Sequence, residues 1–369
     1  MELADRDESI EVSVVVPAKD EEKTIGDCLD KINQVFDEEN IEGEIIVPDS
    51  SDDRTPVIAR EKGARVIHPD EEGYGNAYLD GMSEVRGGYV VMGDADDTYD
   101  FYDIPKLLEP LQEGEAEMVV GNRVEGGIKE GAMSTPHKIG QPIMTGLLNL
   151  FHRTGVSDAH SGFRAFKREA LKKMRLQAGG MAFASELIIE ADRRGLNIEE
   201  IPIELHPRRE GSEPKYDYFS DSWDHLKLIL LRAPTKAFAV PGVILLFVGM
   251  ILLGGSFLNL TGPEYAPPLL GSLMLLVGST MTGAGAFVRH LGIGRDLVDH
   301  DVLSKFFSNH FTPGRGFWIG LFLFGIGLLP LLPFGVVKSS VQQHALFFTS
   351  LCLGIEVGFL SVAWDLVGE

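Results

Sequence analysis

The chain changes in composition near residue 236, and this change constrains the fold more than any other feature. Four long apolar stretches follow it, at residues 237–257, 267–288, 317–337 and 345–364. Each has about 20 residues, and a helix that rises about 1.5 Å per residue crosses a hydrocarbon core of about 30 Å at that length. Soluble helices are seldom apolar on every face. The sequence therefore predicts a membrane domain of four helices at residues 237–369, and a buried helical bundle is the alternative.

Basic residues in the loops predict how these spans are oriented. The loop between the second and third spans contains four of them: Arg289, Arg295, Lys305 and Arg315. The loop after the first span contains none, and the loop after the third contains only Lys338. Because cytoplasmic loops are enriched in Lys and Arg, we expect a multi-pass cell-membrane protein whose N-terminal domain is cytoplasmic.

A short segment separates the two halves. Residues 216–236 mix apolar side chains such as Trp223 and Leu226 with Lys227, Arg232 and Lys236. This mixture predicts an amphipathic helix that lies in the membrane interface, and a plain linker helix is the alternative.

Residues 1–215 alternate short apolar runs with segments of helical periodicity. The apolar runs predict five strands, at residues 12–16, 45–47, 64–67, 89–92 and 118–121. Continuous β-branched runs separated by helices are typical of a mostly parallel sheet. We therefore expect an α/β domain, and in such sheets ligands bind beyond the carboxyl ends of the strands.

Polar residues follow the predicted strands at that edge. Residues 17–21 follow the first strand, Asp49 follows the second, and Asn122 and Arg123 follow the fifth. The fourth strand leads into an acidic cluster: Asp94, Asp96, Asp97 and Asp100. Carboxylates this close repel one another unless a positive partner lies between them. Because Mg²⁺ takes one or two carboxylates together with substrate phosphate, we expect Asp94 and Asp96 to hold Mg²⁺ or Mn²⁺.

The charge balance excludes one class of partner. Acidic residues outnumber basic ones by 55 to 33, for a net charge of −22, whereas nucleic-acid binding needs a basic face. The two cysteines, Cys28 and Cys352, lie in different halves, so neither a disulfide framework nor a cysteine metal site is expected.

A series of motifs gives the N-terminal half a specific resemblance. The motifs are VVVPAKDEEKTI (14–25), DSSDDRT (49–55), GYGNAYLDGM (73–82), GDADDTYD (93–100), GNR (121–123), SDAHSGFRAFKREAL (157–171), FASELIIEA (183–191) and IPIELHPRREG (201–211). In order and number they resemble a family 2 glycosyltransferase with the GT-A fold. The resemblance covers about residues 11–235 and is strongest to polyprenyl-phosphate sugar synthases, which include dolichyl-phosphate mannose synthase and the dolichyl- or undecaprenyl-phosphate glucose synthases. Archaeal and some bacterial members also carry C-terminal spans.

The resemblance implies a role for each matched residue. The nucleotide site would comprise Pro17, Ala18, Glu21, Asp49 and Asp94, and the metal ligands would be Asp94 and Asp96. Catalysis would involve Asp96, Arg123, Arg164 and Arg208, with the arginines on the lipid phosphate or the diphosphate. Thr98 stands where mannose synthases often have a third metal contact, Gln. His137 and His160 are either substrate contacts or hydrogen-bonded loop residues.

These roles predict an inverting hexosyltransferase. The expected donor is UDP-glucose or GDP-mannose, and the expected acceptor is a polyprenyl (dolichyl) phosphate at the cytoplasmic membrane face, for glycan or protein glycosylation. Two alternatives are a processive polysaccharide synthase, whose QxxRW and TED-like motifs do not occur here, and a non-catalytic nucleotide-sugar sensor. A homo-oligomer is left open.

Overall fold

The protein divides into two compact units. The computed structural model describes residues 3–209, 218–258, 266–299, 313–328 and 341–368. The N-terminal unit comprises Met1–Ile229 and the C-terminal unit comprises Leu230–Glu369.

A seven-stranded sheet forms the centre of the N-terminal unit. Its strands are β1 Val12–Val15, β2 Gly43–Pro48, β3 Arg65–Ile67, β4 Tyr89–Met92, β5 Met118–Asn122, β6 Arg164–Lys167 and β7 Ile198–Pro202. They are arranged in the order β3-β2-β1-β4-β6-β5-β7. Every neighbouring pair is parallel except the two that involve β6, which runs antiparallel to β4 and β5. The predicted α/β fold with a mostly parallel sheet is therefore confirmed.

Two of these strands were not predicted from the sequence. β6 has only four residues and begins and ends with a basic residue, Arg164 and Lys167. β7 contains Glu199 and Glu200 and lies at the edge of the sheet, where none of its side chains is fully buried. Neither strand therefore shows the apolar run that marks a central strand.

Nine helices accompany the sheet within the described residues of this unit. They are α1 Ile25–Glu39, α2 Thr55–Glu61, α3 Tyr74–Ser83, α4 Ile104–Glu113, α5 Arg123–Gly126, α6 Thr135–His152, α7 Arg168–Lys173, α8 Phe183–Arg193 and α9 Tyr218–Arg232, of which the last continues to the end of the unit and beyond. α1 shows why they form where they do. Ile25, Leu29 and Ile32 recur at helical spacing and are buried, and the helix ends at Asn40, whose left-handed backbone places its N–H on the carbonyl of Phe36.

The sheet separates two apolar cores, because successive side chains of a strand point to opposite faces. Val14 and Val91 face the core formed with α1 and α4. Val15 and Met92 face the core formed with α3 and α8. Each fully buried side chain of this kind stabilises the fold by roughly 1.5–3 kcal/mol relative to the exposed state. The two cores hold the strands in register, and so fix where the strand ends lie.

The C-terminal unit is helical. A π-helical segment at Thr235–Ala239 leads into α10 Val240–Phe257, and α11 Ala266–Gly294, α12 Pro313–Leu328 and α13 Val341–Gly368 follow. Three segments among the described residues are long and apolar enough to cross a membrane: Thr235–Ser256, Ala266–Gly294 and Gln343–Leu360. They correspond to the first, second and fourth predicted spans. The third, at residues 317–337, extends beyond α12 outside the described residues, where Lys305 and Lys338 also lie.

Small residues allow these helices to approach closely. A side-chain carbon added to Gly249 of α10 would lie 2.8 Å from the carbonyl oxygen of Gly271 in α11. One added to Gly320 of α12 would lie 2.7 Å from the carbonyl oxygen of Gly354 in α13. Close backbone approach at glycine is typical of helix pairs in membranes, where packing replaces the hydrophobic effect as the main attraction.

Candidate active site

A cavity of about 600 Å³ opens at the carboxyl ends of the parallel strands. Seven of the predicted site residues line it: Pro17, Ala18, Glu21, Asp94, Asp96, Arg123 and Arg208. Two others, Asp49 and Arg164, do not. The structure thus brings together residues that are almost 200 positions apart in the sequence, as expected for groups at one edge of a parallel sheet.

The loops after β1 and β2 form one wall. The N–H of Ala18 donates to the carbonyl of Pro48 at 2.9 Å, and the N–H of Ser50 donates to the carbonyl of Ala18 at 3.1 Å. Asp49 lies within this wall, where its carboxylate accepts from the Ser51 hydroxyl at 2.7 Å. Burial raises the pKa of Asp49. Its side chain is therefore held behind the cavity surface that its neighbour Ser50 lines.

Asp94 lies where β4 ends, and two tyrosines hold it. The hydroxyls of Tyr74 and Tyr78 donate to its Oδ1 at 3.2 and 3.1 Å. Gly162 packs against the other oxygen, since a side-chain carbon there would lie 2.8 Å from Asp94 Oδ2. Burial, and then the charge of Asp96, raises the pKa of Asp94 to about 6. The carboxylate is thus oriented by its surroundings and poorly solvated.

Basic side chains satisfy the rest of the acidic cluster. Arg208 pairs with Asp96 Oδ2 at 2.5 Å, and the Thr98 hydroxyl donates to Asp96 Oδ1 at 2.6 Å. Lys31 pairs with Asp97 at 2.8 Å. The sequence suggested that a cation separates these carboxylates. For Asp96 and Asp97 the structure shows that basic side chains of the protein, Arg208 and Lys31, provide positive charge. Thr98, which stands in place of Gln, supports Asp96.

The residues present fit a divalent metal that binds together with a diphosphate. In the part of the chain that the structure describes, no three His, Cys, Asp or Glu side chains gather to hold a metal ion by themselves. Mg²⁺ and similar ions need only one or two carboxylates where substrate phosphate and water complete the shell. Asp94 and Asp96 supply hard oxygen donors, and Lys19 and Arg208 line the same cavity. The donor set is therefore that of a site completed by its substrate.

Arg123 is fixed in the cavity wall by a buried ion pair. Its guanidinium donates through two nitrogens to the two carboxylate oxygens of Asp158, both at 2.7 Å, and to Gln141 at 3.1 Å. Bidentate pairs of this kind are strong and geometrically specific. Arg123 is therefore a rigid positive group at the cavity surface. The motif SDAHSGFR contains Asp158, but the sequence did not indicate that it pairs with Arg123.

Arg164 does not line the cavity, which contradicts the expectation that it contacts a phosphate. Its side chain is fully buried. The guanidinium donates to the carbonyls of Ala159, Ser161 and Ala184, each at 2.8 Å. Burial lowers the pKa of Arg164 to about 10, so the group stays charged at neutral pH. Arg164 instead ties α8 to the loop before β6, which carries other cavity residues.

Three histidines also line the cavity: His137 of α6, His160, and His225 of α9. The Ser185 hydroxyl lies 2.7 Å from His225 Nδ1 and 3.3 Å from His160 Nε2. Burial lowers the pKa of His160 and of His225, the latter to about 4. Both imidazoles are therefore neutral at pH 7. No motif in the sequence indicated His225, because its position in the cavity depends on how α9 packs.

The fold is similar to that of a solved sugar-phosphate synthase. Glucosyl-3-phosphoglycerate synthase from Mycobacterium tuberculosis, in complex with phosphoglyceric acid, is 27% identical, with a TM-score of 0.51 over 61% of this chain and 80% of that one. A second structure of that enzyme, with Mn²⁺, UDP-glucose and phosphoglyceric acid, is 26% identical, with a TM-score of 0.50 over 62% and 80%. Together with the carboxylate pair at the strand ends, this likeness defines the class of protein: a glycosyltransferase with the GT-A fold.

Sequence relatives give the family. The profile of glycosyl transferase family 2 matches residues 13–175. The low-salt glycan biosynthesis hexosyltransferase Agl6 of Haloferax volcanii is 41% identical over 99% of this chain and 91% of its own length. A dolichyl-phosphate hexose transferase of the same organism is 33% identical over 57% of this chain and 88% of its own length. The chain therefore belongs to glycosyl transferase family 2.

Proposed function

We propose that the protein transfers a hexose from a nucleotide sugar to a polyprenyl phosphate, with inversion at the anomeric carbon. One observation carries the proposal. A single cavity is lined by Pro17 and Ala18 after β1, by Asp94, Asp96 and Arg208, and by residues of α6 and α9. It therefore combines groups that would hold a nucleotide, a metal-bound diphosphate and an acceptor phosphate.

The comparisons support this choice of substrates. Relatives act, by name, on dolichyl phosphate, and the solved neighbour has been crystallised with UDP-glucose and Mn²⁺. We therefore place dolichyl phosphate first as the acceptor and UDP-glucose before GDP-mannose as the donor. Thr98, in place of the Gln of mannose synthases, favours the same order. The product would serve glycan or protein glycosylation.

The chemistry needs few protein groups. A phosphate monoester has a second pKa near 6, so the acceptor is largely a dianion at pH 7 and needs no general base. Asp94 and Asp96 would hold Mg²⁺ or Mn²⁺, which stabilises the departing diphosphate when bound. Arg123, rigid in its ion pair, and Arg208 would orient phosphate oxygens, so that the acceptor meets the anomeric carbon in line. Pro17, Ala18 and Glu21 would line the nucleoside site, and Asp49 would support it from within the same wall.

We also propose a division of the chain in which residues 1–215 carry the chemistry at the cytoplasmic face. In this arrangement residues 216–236 lie at the membrane interface and residues 237–369 anchor the protein. The loop basic residues support this orientation. Two observations support the interfacial role of α9: His225 and Ile229 are buried against the N-terminal unit, whereas Trp223 is exposed.

The test is a donor and acceptor screen with the purified full-length protein. UDP-glucose and GDP-mannose would each be offered with a short polyprenyl phosphate, with Mn²⁺, Mg²⁺ or EDTA. We expect a single sugar on the lipid, and at least a 100-fold loss with EDTA, Asp94→Asn or Asp96→Asn. Asp30→Asn, which changes an exposed carboxylate on α1, is the matched control. Full activity of both site variants would refute the assignment of Asp94 and Asp96 as metal ligands.

The same screen separates the alternatives. A sensor would bind the donor without turnover, and a processive synthase would give a ladder of products from one acceptor. A single β-linked sugar phosphate from an α-linked donor supports the proposal, whereas an α-linked product contradicts the inverting step.

A further inference from the structure

Helix α6 presents an apolar face to the outside of the N-terminal unit. Ile139, Ile143 and Leu150 are 62%, 57% and 66% exposed. Pro142 and Gly146 are also exposed and share this side of the helix, since residues advance by about 100° each. We call these five residues the α6 outer face. Exposed large apolar side chains gathered on one face mark an interaction surface, whereas scattered ones need no explanation.

The opposite side of α6 belongs to the active site and the core. His137, Gln141 and Met144 line the cavity, and Thr145 and Leu148 are buried. A surface helix of a soluble protein places its polar residues outward. In α6 the polar side chains of His137 and Gln141 face the cavity, whereas large apolar side chains face outward, which is the arrangement expected if the outside is not water.

The charge around α6 points to the kind of partner. Residues 131–157 contain no Asp or Glu, although 55 of the 369 residues in the chain are acidic. Lys138 and Arg153, near the two ends of the helix, are both exposed. An apolar face flanked by basic residues suits an anionic lipid surface. The rest of this strongly acidic chain would be repelled by such a surface.

The chain also connects α6 to the membrane part. His152 Nε2 lies 3.0 Å from the carbonyl oxygen of Ile229 in α9, and Leu148 and Ile229 belong to the same apolar core. α9 ends at Arg232, and the first candidate span begins at Thr235. The C-terminal end of α6 is thus packed on the helix that leads into the first candidate span.

We propose that the α6 outer face lies in the surface of an anionic lipid bilayer. An interfacial helix sinks roughly 5–10 Å into the headgroup region, and a helix is about 10–12 Å across. The cavity residues on the inner side of α6 would then lie about one helix diameter from the lipid headgroups. Resting on the proposed function, this position would let a lipid phosphate reach His137 and Arg123 while its chain stays in the bilayer.

Spin-label depth measurement tests the position without any assay of activity. Full-length protein with Cys352→Ser would carry a nitroxide at Ile143→Cys, in nanodiscs that contain phosphatidylglycerol. Cys28 can stay, because it is buried and burial raises the pKa of its thiol. We expect the label to collide more with oxygen than with a water-soluble nickel chelate. A label at Val57→Cys on α2, also exposed and apolar, should show the reverse.

Two results would overturn the proposal. One is a label on α6 as accessible to the nickel chelate as the α2 label. The other is strong dipolar coupling between labels on two protein copies, which would assign the α6 outer face to a dimer.

Kinetics supply a second, independent test. Ile139→Ser, Ile143→Ser and Leu150→Ser combined should raise the KM for a long-chain polyprenyl phosphate in vesicles at least ten-fold. The KM for a short, water-soluble prenyl phosphate should stay within two-fold, which also shows that the variant is folded, and Val57→Ser should change neither. An unchanged long-chain KM refutes the proposal. If the wild type transfers to no prenyl phosphate, the proposed function fails and the depth measurement alone decides the position of α6.

Discussion

Removal of the Asp158 carboxylate should destabilise the N-terminal unit strongly. In the structure this carboxylate accepts two hydrogen bonds from the Arg123 guanidinium at 2.7 Å and one from the Arg123 backbone N–H at 3.0 Å. The two side chains are only 6% and 3% exposed. Asp158→Ala would leave the guanidinium buried without its counter-charge, which costs about 3–5 kcal/mol.

Hydrogen exchange measures this loss inside the intact membrane protein. Amides of β5 and β6 should exchange through opening of the N-terminal unit. A change of about 1.36 kcal/mol in the free energy of opening changes the exchange rate ten-fold. We therefore expect exchange in these strands to accelerate by about 150- to 5,000-fold. Glu169→Ala, which breaks an exposed ion pair with Lys172, should leave it unchanged. The double variant Arg123→Met, Asp158→Leu should recover most of the loss, because a buried ion pair can be replaced by apolar side chains at little cost.

The outcome distinguishes two accounts of Asp158. An acceleration of less than about ten-fold would mean that Arg123 reaches water when its partner is removed, as exposed pairs contribute little. A double variant as unstable as the single one would assign the loss to packing. Either result would refute the conclusion that this ion pair holds the cavity wall.

Three further predictions follow from the cavity. Tyr78→Phe removes a hydrogen-bond donor to Asp94, so the pKa of Asp94 should rise. Mn²⁺ affinity measured by paramagnetic resonance should then fall several-fold at pH 6–7 and recover above pH 8. Tyr102→Phe, at an exposed site, should have no effect. Arg208→Gln should raise Mn²⁺ affinity without donor, because it frees Asp96 from a competing cation, yet reduce sugar transfer; a parallel loss of both would contradict this. Burial lowers the pKa of His225 to about 4, against about 6.5 in the unfolded chain. Protons therefore bind the unfolded chain more tightly, and the free energy of unfolding should fall by up to about 3 kcal/mol as the pH drops from 6.5 to 4. The same exchange measurement should show a smaller fall in His225→Gln.

The position of the cavity could be predicted because it depends on local sequence and one rule of sheet geometry. Pro17, Asp94 and Arg123 each follow an apolar run closely, so once the runs are parallel strands their ends must meet at one edge. Three of the four predicted spans were predictable for a similar reason, since length and composition alone decide whether a helix can cross a bilayer.

The partners of these residues could not be predicted, because they depend on tertiary packing. Asp158 is 35 positions from Arg123, and His225 is 65 positions from the imidazole of His160 that it contacts. For Arg164, tertiary packing also made the prediction from the sequence wrong. Its motif suggested a phosphate contact, but β6 is an antiparallel strand inserted between β4 and β5, and the buried side chain there can reach only backbone carbonyls.

The pairing of the acidic cluster suggests how the site balances its charge during the reaction. Asp96 relies on Arg208, and Asp97 relies on Lys31 and Arg209, whereas Asp94 is held by neutral hydroxyls. A divalent cation held by Asp94 and Asp96 would neutralise the Asp96 carboxylate in place of Arg208. Arg208 would then be available to the phosphate oxygens, which need a positive partner as negative charge builds up on the leaving group. One arginine would thus neutralise the carboxylate before the donor binds and stabilise the diphosphate afterwards, and for this reason Arg208→Gln should have opposite effects on metal binding and on sugar transfer.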